Sequence, residues 1–219
     1  ADDSDVAYSI LTAAAMSSDV NYNGLNPPDV SVTNQDNDTA GITISRSSGL
    51  VTTEAGGTAT FTVVLNTQPV ADVMIGLSSS DPGEGTVAPA SLVFTATNWS
   101  TPQTVTLSGQ NDDLDDGDAG YTIVTAAATS SDSNYNGLDA ADVLATNTDD
   151  DTAGITVSPT SGLATTEAGE RATFTVVLAT KPVADVTISL SSSDPSEGTV
   201  APASLTFTAA NWSTPRTVT

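Results

Sequence analysis

Residues 58–65 read TATFTVVL, and in this stretch Phe61, Val63 and Leu65 occupy every second position. Apolar residues with a period of two predict a β-strand with one buried face, because successive side chains of a strand point to opposite faces of the sheet. Nearly the same letters return at residues 171–178 as RATFTVVL. The stretch and its copy therefore predict a β-sheet protein with an internal repeat.

The repeat has a period of 113 residues and covers the whole chain. NYNGL begins at Asn21 and again at Asn134, and the register holds without gaps at roughly 70% identity. A unit of this length is typical of an immunoglobulin-like sandwich. We interpret the chain as part of a longer array in three segments: 1–38 is the C-terminal part of a preceding repeat, 39–151 a complete repeat, and 152–219 the N-terminal part of a following repeat.

Strand patterns follow one another through the complete unit without any helical periodicity. Pro and Gly in SSSDPGEG at residues 78–85 predict a loop. We expect an all-β fold of tandem antiparallel sandwiches with about seven strands each. The seven predicted strands are GITIS from Gly41, TATFTVVL, the run Val73–Leu77, the pair Leu92 and Phe94, the pair Val105 and Leu107, the strand from Tyr121, and ADVLATNT at residues 141–148.

The charge balance excludes several functions. The chain has 4 basic and 27 acidic residues, a formal charge of −23, and no Cys or His. Thiol chemistry, His-based zinc sites and Ser-His-Asp triads are therefore excluded, and so negative a chain does not favour nucleic acid as a partner. No apolar run approaches the ~20 residues of a membrane span. The first ten residues lack the charged and apolar regions of a signal peptide.

Acidic residues crowd into NDDLDDGDAGY at residues 111–121, and a second cluster, NTDDDTAGIT, occupies residues 147–156. Two carboxylates ~4 Å apart repel by roughly 4 kcal/mol at an effective dielectric of ~20, so a folded loop of this kind favours a bound cation. Oxygen ligands on flexible loops are what Ca²⁺ prefers. The alternative is a solvated acidic turn, and the second cluster favours calcium.

Strand parity predicts that these acids converge. If consecutive strands run antiparallel, the loops after the first, third and fifth strands lie at the same end of the sandwich as the end of the seventh. These segments carry Glu54, Asp81 and Glu84, Asp112 to Asp118, and Asp149 to Asp151. We therefore expect one acidic end per unit.

Several of these motifs resemble those of the Calx-beta domains, which occur in sodium–calcium exchangers and as tandem repeats in large bacterial surface proteins. The resemblance rests on TTEAGGTATFTVVL, PVADVMIGL, NDDLDDGDAGYTIVT and DDDTAGIT, in this order. It implies calcium ligands at Glu54, Asp112, Asp113, Asp116 and Asp149 to Asp151. The sequence departs from the family pattern at Asp116, where a Glu is usual, and at Ala119, where an acid is expected, so fewer or weaker sites are implied.

The candidate metal ligands combine both arguments with the 113-residue period. They are Glu54, Asp81, Asp112, Asp113, Asp115, Asp116, Asp149, Asp150 and Asp151, together with Asp36, Asp38 and Glu167 in the flanking segments. A weaker set fits the start of a D-x-N-x-N-G calcium loop: Asp132, Asn134 and Asn136, with Asp19, Asn21 and Asn23 in the other copy. No helices are predicted beside these loops, and a polar connection with an Asn-Gly turn remains the alternative.

The function that fits this pattern is structural. We expect a calcium-stabilised segment of an extracellular filament or adhesin stalk on a bacterial surface. The expected partners are neighbouring repeats or identical subunits, joined head to tail by strand complementation in the second case. The alternative is a glycan- or protein-binding adhesive module. An enzyme is not expected, since so few aromatic residues give no substrate groove.

Overall fold

A computed structural model describes residues 2–219, and every regular element in that range is a β-strand. None of these residues lies in a helix of the length and apolarity that crossing a bilayer requires. The strands are β1 (Val6–Ile10), β2 (Val30–Asn34), β3 (Ile42–Ile44), β4 (Leu50–Thr53), β5 (Thr58–Leu65), β6 (Val73–Ser79), β7 (Gly85–Ala88), β8 (Ser91–Phe94), β9 (Gln103–Gly109), β10 (Ala119–Thr125), β11 (Thr129–Ser130), β12 (Val143–Thr148), β13 (Ile155–Ser158), β14 (Phe174–Leu178), β15 (Val186–Ser189), β16 (Ser204–Phe207) and β17 (Arg216–Val218). The prediction of an all-β protein is confirmed.

Strands β3 to β12 form two sheets that enclose one core. The first sheet has the order β3-β5-β9-β7. The second has β4, β12, β10 and β6 in line, and β8 and β11 also pair with β6. Neighbouring strands are antiparallel except for β4 and β12, which run parallel. This arrangement is a two-layer β-sandwich.

The apolar alternation read from the sequence faces this core. Phe61, Val63 and Leu65 of β5 are buried against Val105 and Leu107 of β9 and the inward residues of the second sheet. Full burial of one such side chain contributes roughly 1.5–3 kcal/mol relative to exposure. Two facing sheets with this period leave their outward positions polar, as the alternating burial along β5, β9 and β10 shows.

Strands β3 to β12 make ten strands where seven were expected, and the differences have local causes. The predicted first strand divides into β3 and β4, which join opposite sheets, and Gly49 allows the turn between them with a φ of +69°. Strand β7 starts at Gly85, the last residue of the predicted loop at 78–85. The short β11 follows β10 and pairs with β6.

The 113-residue period returns in the strand pairing. The register of β1 on β2, which sets Val6 opposite Asn34, matches that of β10 on β12. The pairs β13–β14 and β15–β16 likewise have the registers of β3–β5 and β6–β8. Residues 163–166, which correspond to β4, form no strand. Their partner would be a counterpart of β12, and residues 152–219 contain none.

One close approach between the two sheets depends on a glycine. Gly85 is buried at the start of β7, and a Cβ at this position would overlap the ring and hydroxyl of Tyr121. The Tyr121 hydroxyl in turn lies 3.1 Å from Thr52 Oγ1 in β4. Gly198 occupies the corresponding position of the next segment, where a Cβ would meet nothing within 4 Å.

We expect Gly85→Ala to lower the free energy of unfolding by about 1–3 kcal/mol, because the added methyl displaces the Tyr121 ring in a close-packed core. Gly198→Ala is the matched control and should change stability by less than about 0.5 kcal/mol. Urea unfolding followed by circular dichroism measures both. Equal effects of the two variants would contradict the packing described here.

Candidate metal centre

Three carboxylates meet where β4 and β12 end. Glu54, Asp149 and Asp151 each offer one oxygen, and these oxygens lie within 4.8 Å of one another. Glu54 directly follows β4, and Asp149 directly follows β12. Because these two strands run parallel with Thr53 opposite Thr148, their carboxyl ends lie side by side. The Glu54 amide extends the ladder with a 3.0 Å hydrogen bond to the carbonyl of Thr148.

Two carboxylate oxygens of this group are buried without a hydrogen-bond partner among residues 2–219. They are Glu54 Oε2 and Asp151 Oδ2. Glu54 is only 5% exposed. Buried polar atoms are almost always hydrogen-bonded, because an unpaired one loses its hydration without compensation. Two unpaired oxygens in one acidic group indicate a missing positive partner.

Backbone amides hold Asp149 in place. Its Oδ2 accepts hydrogen bonds from the amides of Asp116 and Gly117, at 3.1 and 2.7 Å, and its Oδ1 accepts one from the Asp151 amide at 2.7 Å. Asp118 Oδ1 accepts a hydrogen bond from the Asp149 amide at 3.2 Å. The acidic loop therefore folds over the end of β12. The amides of Asp151 and Gly117 are the main cause of the lowered pKa of Asp149.

The other two carboxylates of the group resist ionisation. Burial raises the pKa of Glu54 from 4.5 to about 7, a hydrogen bond from the Asp150 backbone opposes the shift, and the charges of Asp149, Asp112 and Asp151 add to it. Burial also raises the pKa of Asp151, and the charge of Asp149 adds to that shift. Like charges at this spacing disfavour one another's ionised forms. Full ionisation of the three therefore requires a counter-charge.

A second acidic group surrounds Glu84, just before β7. Burial raises the pKa of Glu84, a hydrogen bond from Asn147 opposes the shift, and the charges of Asp116, Asp81 and Asp112 add to it. Asp112 also contributes to the raised pKa of Glu54, so its charge acts on both acidic groups. Asp81 itself is exposed, and its Oδ1 accepts a 3.0 Å hydrogen bond from Gly83 within the turn.

A buried polar network lies beneath these acids. Asn147 donates to Glu84 Oε2 at 3.5 Å and to the Gln110 carbonyl at 2.9 Å, and its Oδ1 accepts from Thr52 Oγ1 at 3.0 Å. Thr52 continues the network to Tyr121. The sequence analysis placed Glu84 at this end but left it out of the ligand set, and it missed Asn147. The inward parity of Val143, Ala145 and Asn147 along β12 could have revealed a polar residue on the core face.

The remaining loop acids contact the following segment. The Asp113 carbonyl accepts a 2.7 Å hydrogen bond from the Lys181 amide, and Asp115 Oδ2 accepts one of 2.7 Å from the Ala153 amide. Asp113, Asp115, Asp116 and Asp150 are exposed, whereas Asp112 is partly buried and its Oδ1 accepts from the Leu114 amide at 2.7 Å. The acidic loop is therefore also a junction between segments.

The same arrangement occurs around Asp36. Its Oδ2 accepts from the amides of Asp3 and Ser4, both at 2.8 Å, and its Oδ1 accepts from the Asp38 amide at 2.9 Å. These bonds match those of Asp149 one period later, and the Asp38 amide is the main cause of the lowered pKa of Asp36. Residues 2–38 contain no counterpart of Glu54. Glu167 is that counterpart in the last segment, where it is exposed.

The two D-x-N-x-N-G loops use their side chains internally. Asp132 is buried, with its Oδ2 accepting from the Val70 amide at 2.8 Å and its Oδ1 from the Asn134 amide at 2.9 Å. Asn134 donates to the Asp2 carbonyl at 2.6 Å, and Asn136 Oδ1 accepts from the Ser130 amide at 3.3 Å. In the exposed copy, Asp19 Oδ1 accepts from Asn21, and Asn23 Oδ1 accepts from the Ser17 amide. Within residues 2–219, only Glu54, Asp149 and Asp151 meet as a group of three acids able to hold a metal ion.

Comparison with known proteins gives distant structural likeness alone. No family model and no curated protein matches the chain. The periplasmic chaperone SfaE matches with a TM-score of 0.40 at 8% identity, over 50% of this chain and 58% of SfaE. The chaperone–tip adhesin complex CsuC–CsuE of Acinetobacter baumannii matches with a TM-score of 0.38 at 8% identity, over 79% of this chain and 92% of that one. WR4, a C. elegans MSP family member, matches with a TM-score of 0.32 at 11% identity, over 49% and 96%. The chain thus spans little more than half the length of SfaE.

The raised pKa of Glu54 predicts how stability depends on pH in the absence of metal. The folded chain keeps the Glu54 proton up to about pH 7, whereas the unfolded chain loses it near 4.5. Between these values the folded state binds more protons, so the free energy of unfolding falls as pH rises. We expect Glu54 to contribute a loss on the order of 2 kcal/mol over this range.

Urea unfolding in chelator at a series of pH values measures this slope. Glu54→Gln should flatten it, because the amide does not titrate. Glu197→Gln removes the same charge from an exposed site and should leave the slope unchanged. A slope that persists in Glu54→Gln would show that other acids cause it.

Proposed function

We propose that the chain is a calcium-stabilised structural segment of an extracellular filament or adhesin stalk. The observation that carries the proposal is the pair of buried, unpaired oxygens, Glu54 Oε2 and Asp151 Oδ2, beside Asp149. Three carboxylates held together in a fold create a strong local demand for positive charge. The resemblance to Calx-beta domains supports the same reading through the motifs quoted above.

The residues present fit Ca²⁺. The donors are all oxygens, and hard cations of this kind prefer carboxylates and carbonyls to nitrogen or sulfur ligands. Glu54, Asp149 and Asp151 would hold the ion, and the charge of Asp112 lies close enough to raise the pKa of both Glu54 and Asp151. A bound ion would supply charge neutralisation, and the chain's own contribution is to fix the carboxylates with backbone amides.

The site is placed to stabilise a junction. The loop whose amides hold Asp149 is also the loop that accepts hydrogen bonds from Ala153 and Lys181 of the following segment. The Asn134–Asp2 hydrogen bond joins the preceding segment to the central one in a similar way. An ion that fixes the acidic loop would therefore fix the surface on which the next segment rests.

An extracellular setting agrees with this chemistry. Extracellular calcium modules bind with dissociation constants of about 10⁻⁴ to 10⁻³ M, a range that calcium outside cells fills. A net charge of −23 keeps such a segment hydrated and gives it cations to recruit. We therefore propose a secreted or cell-surface location.

Calcium should raise the stability of the chain. We expect a gain on the order of 2–3 kcal/mol at ~100-fold excess over the dissociation constant, from mass action on the folded state. Thermal unfolding in chelator and in millimolar Ca²⁺ measures it. Mg²⁺ at the same concentration controls for charge screening. Identical melting in all three buffers would refute the calcium proposal.

Glu54→Gln should lose most of the calcium response. In chelator above pH 7 the same variant should be more stable than the parent chain, because it removes one carboxylate from a repelling group. Glu197→Gln is matched in chemistry and charge and should retain the response. A Glu54→Gln chain that is stabilised by calcium as strongly as the parent would place the ion elsewhere.

Calcium should also restrict the angle between segments, since the acidic loop forms part of their contact. We expect small-angle scattering to show a longer and narrower distribution of interatomic distances with Ca²⁺ than with chelator. Mg²⁺ should reproduce only the part due to screening. Superimposable profiles in calcium and chelator would leave a stabilising site without a stiffening role.

A further inference from the structure

One face of the β1–β2 hairpin exposes side chains that belong in a core. Tyr8, Ile10 and Val30 are 49%, 50% and 53% exposed. Their counterparts 113 residues later are Tyr121, Ile123 and Val143, which are 3%, 0% and 0% exposed. The register of the two hairpins is the same, so the exposed face has the shape of a sandwich half.

The last segment has the matching deficiency. A groove of about 570 Å³ runs along Thr180, Pro182, Val183 and Val186 and is closed on one side by Leu114. Thr180 corresponds to Thr67 of the central segment. There the position is covered by Tyr135, whose hydroxyl bonds the Thr67 amide, Oγ1 and carbonyl at 3.0, 2.9 and 2.7 Å.

The residue that would fill this groove exists at the other end of the chain. Tyr22 is the counterpart of Tyr135, and it is 61% exposed where Tyr135 is 1% exposed. Its loop already has the bound conformation: the Ala15 amide bonds the Leu25 carbonyl at 2.7 Å, as Ala128 bonds Leu138 at 2.7 Å. Little ordering is then needed on association, which favours affinity.

We propose that residues 2–38 of one copy dock on residues 152–219 of a second copy and rebuild the sandwich seen in the centre of the chain. Tyr22 would enter the groove at Thr180, and Asp19 would accept the Val183 amide as Asp132 accepts that of Val70. Strand β1 would add to the edge of β15 in the register of β10 on β6. The occupant of both surfaces is therefore a second copy of this chain.

Charge supports this pairing. Residues 2–38 contain seven acids and no basic residue, whereas residues 152–219 carry three of the four basic residues of the chain, Arg171, Lys181 and Arg216. Each copy has one surface of each kind at opposite ends of its sequence. Such a contact is heterologous, so it propagates head to tail when it does not close into a ring.

Sedimentation velocity of the 219-residue chain, from low micromolar to several hundred micromolar, tests the proposal. The runs contain chelator, so that the result is independent of the calcium proposal. They also contain ample salt, because screening reduces repulsion between acidic chains. We expect dimers and longer species that grow with concentration. A monomer at every concentration would overturn the proposal.

Variants locate the interface. Tyr22→Ala should weaken association on the order of 30-fold, the effect of truncating a buried aromatic anchor. Because Tyr22 is exposed in the single chain, the variant should melt like the parent. Leu144→Ala, an exposed apolar residue on the outward face of β12, should associate normally. Association unchanged by Tyr22→Ala would overturn the proposed contact.

A disulfide provides an independent readout. Thr129 pairs with Met74 across β11 and β6, and the counterparts of this pair are Met16 and Thr187. Directly opposed strand residues have Cα atoms about 4.5–5.5 Å apart, which a disulfide spans. The chain has no cysteine, so Met16→Cys with Thr187→Cys should give covalent ladders on oxidation. Met16→Cys with Thr156→Cys, on the other sheet, should not; equal ladders from both pairs would overturn the register.

Discussion

Repulsion among Glu54, Asp149 and Asp151 is the constraint on which this end of the molecule depends. The parallel pairing of β4 with β12 brings the start of the central segment beside its end, and the core that forces the pairing also forces the carboxylates together. Amides of the acidic loop neutralise part of Asp149, but two oxygens remain unpaired. Folding of this segment therefore creates a site for a cation and carries a stability cost when the site holds none.

The sequence predicted the parts of this structure that follow from periodicity. The alternation in TATFTVVL located β5 and its buried face, and strand parity located the end at which the acids meet. It did not predict that the first strand divides between the sheets, because GITIS and LVTT each fit an edge and only the turn at Gly49 separates them. It also missed Asn147, whose role depends on the loop carbonyl of Gln110 lying above it.

The repeat makes each local feature general. The amide bonds to Asp149 occur again at Asp36, so this loop conformation is set by the short sequence itself and not by its neighbours. Burial differs instead: Glu54 is buried where β12 is present to pair with β4, and Glu167 is exposed where no such strand lies beside it. The acidic loop is a local structure, whereas the three-carboxylate group is a product of the complete sandwich.

The parallel β4–β12 pair also determines how the central segment would respond to tension. A pull applied at the two ends of this segment draws its first and last strands in opposite directions along their own axes. The four residue pairs from Leu50–Ala145 to Thr53–Thr148 would then be loaded together in shear, and would not open one after another as in a hairpin pulled from its open end. A segment built in this way resists extension until the whole ladder slips at once, and the three carboxylates lie at the end of that ladder.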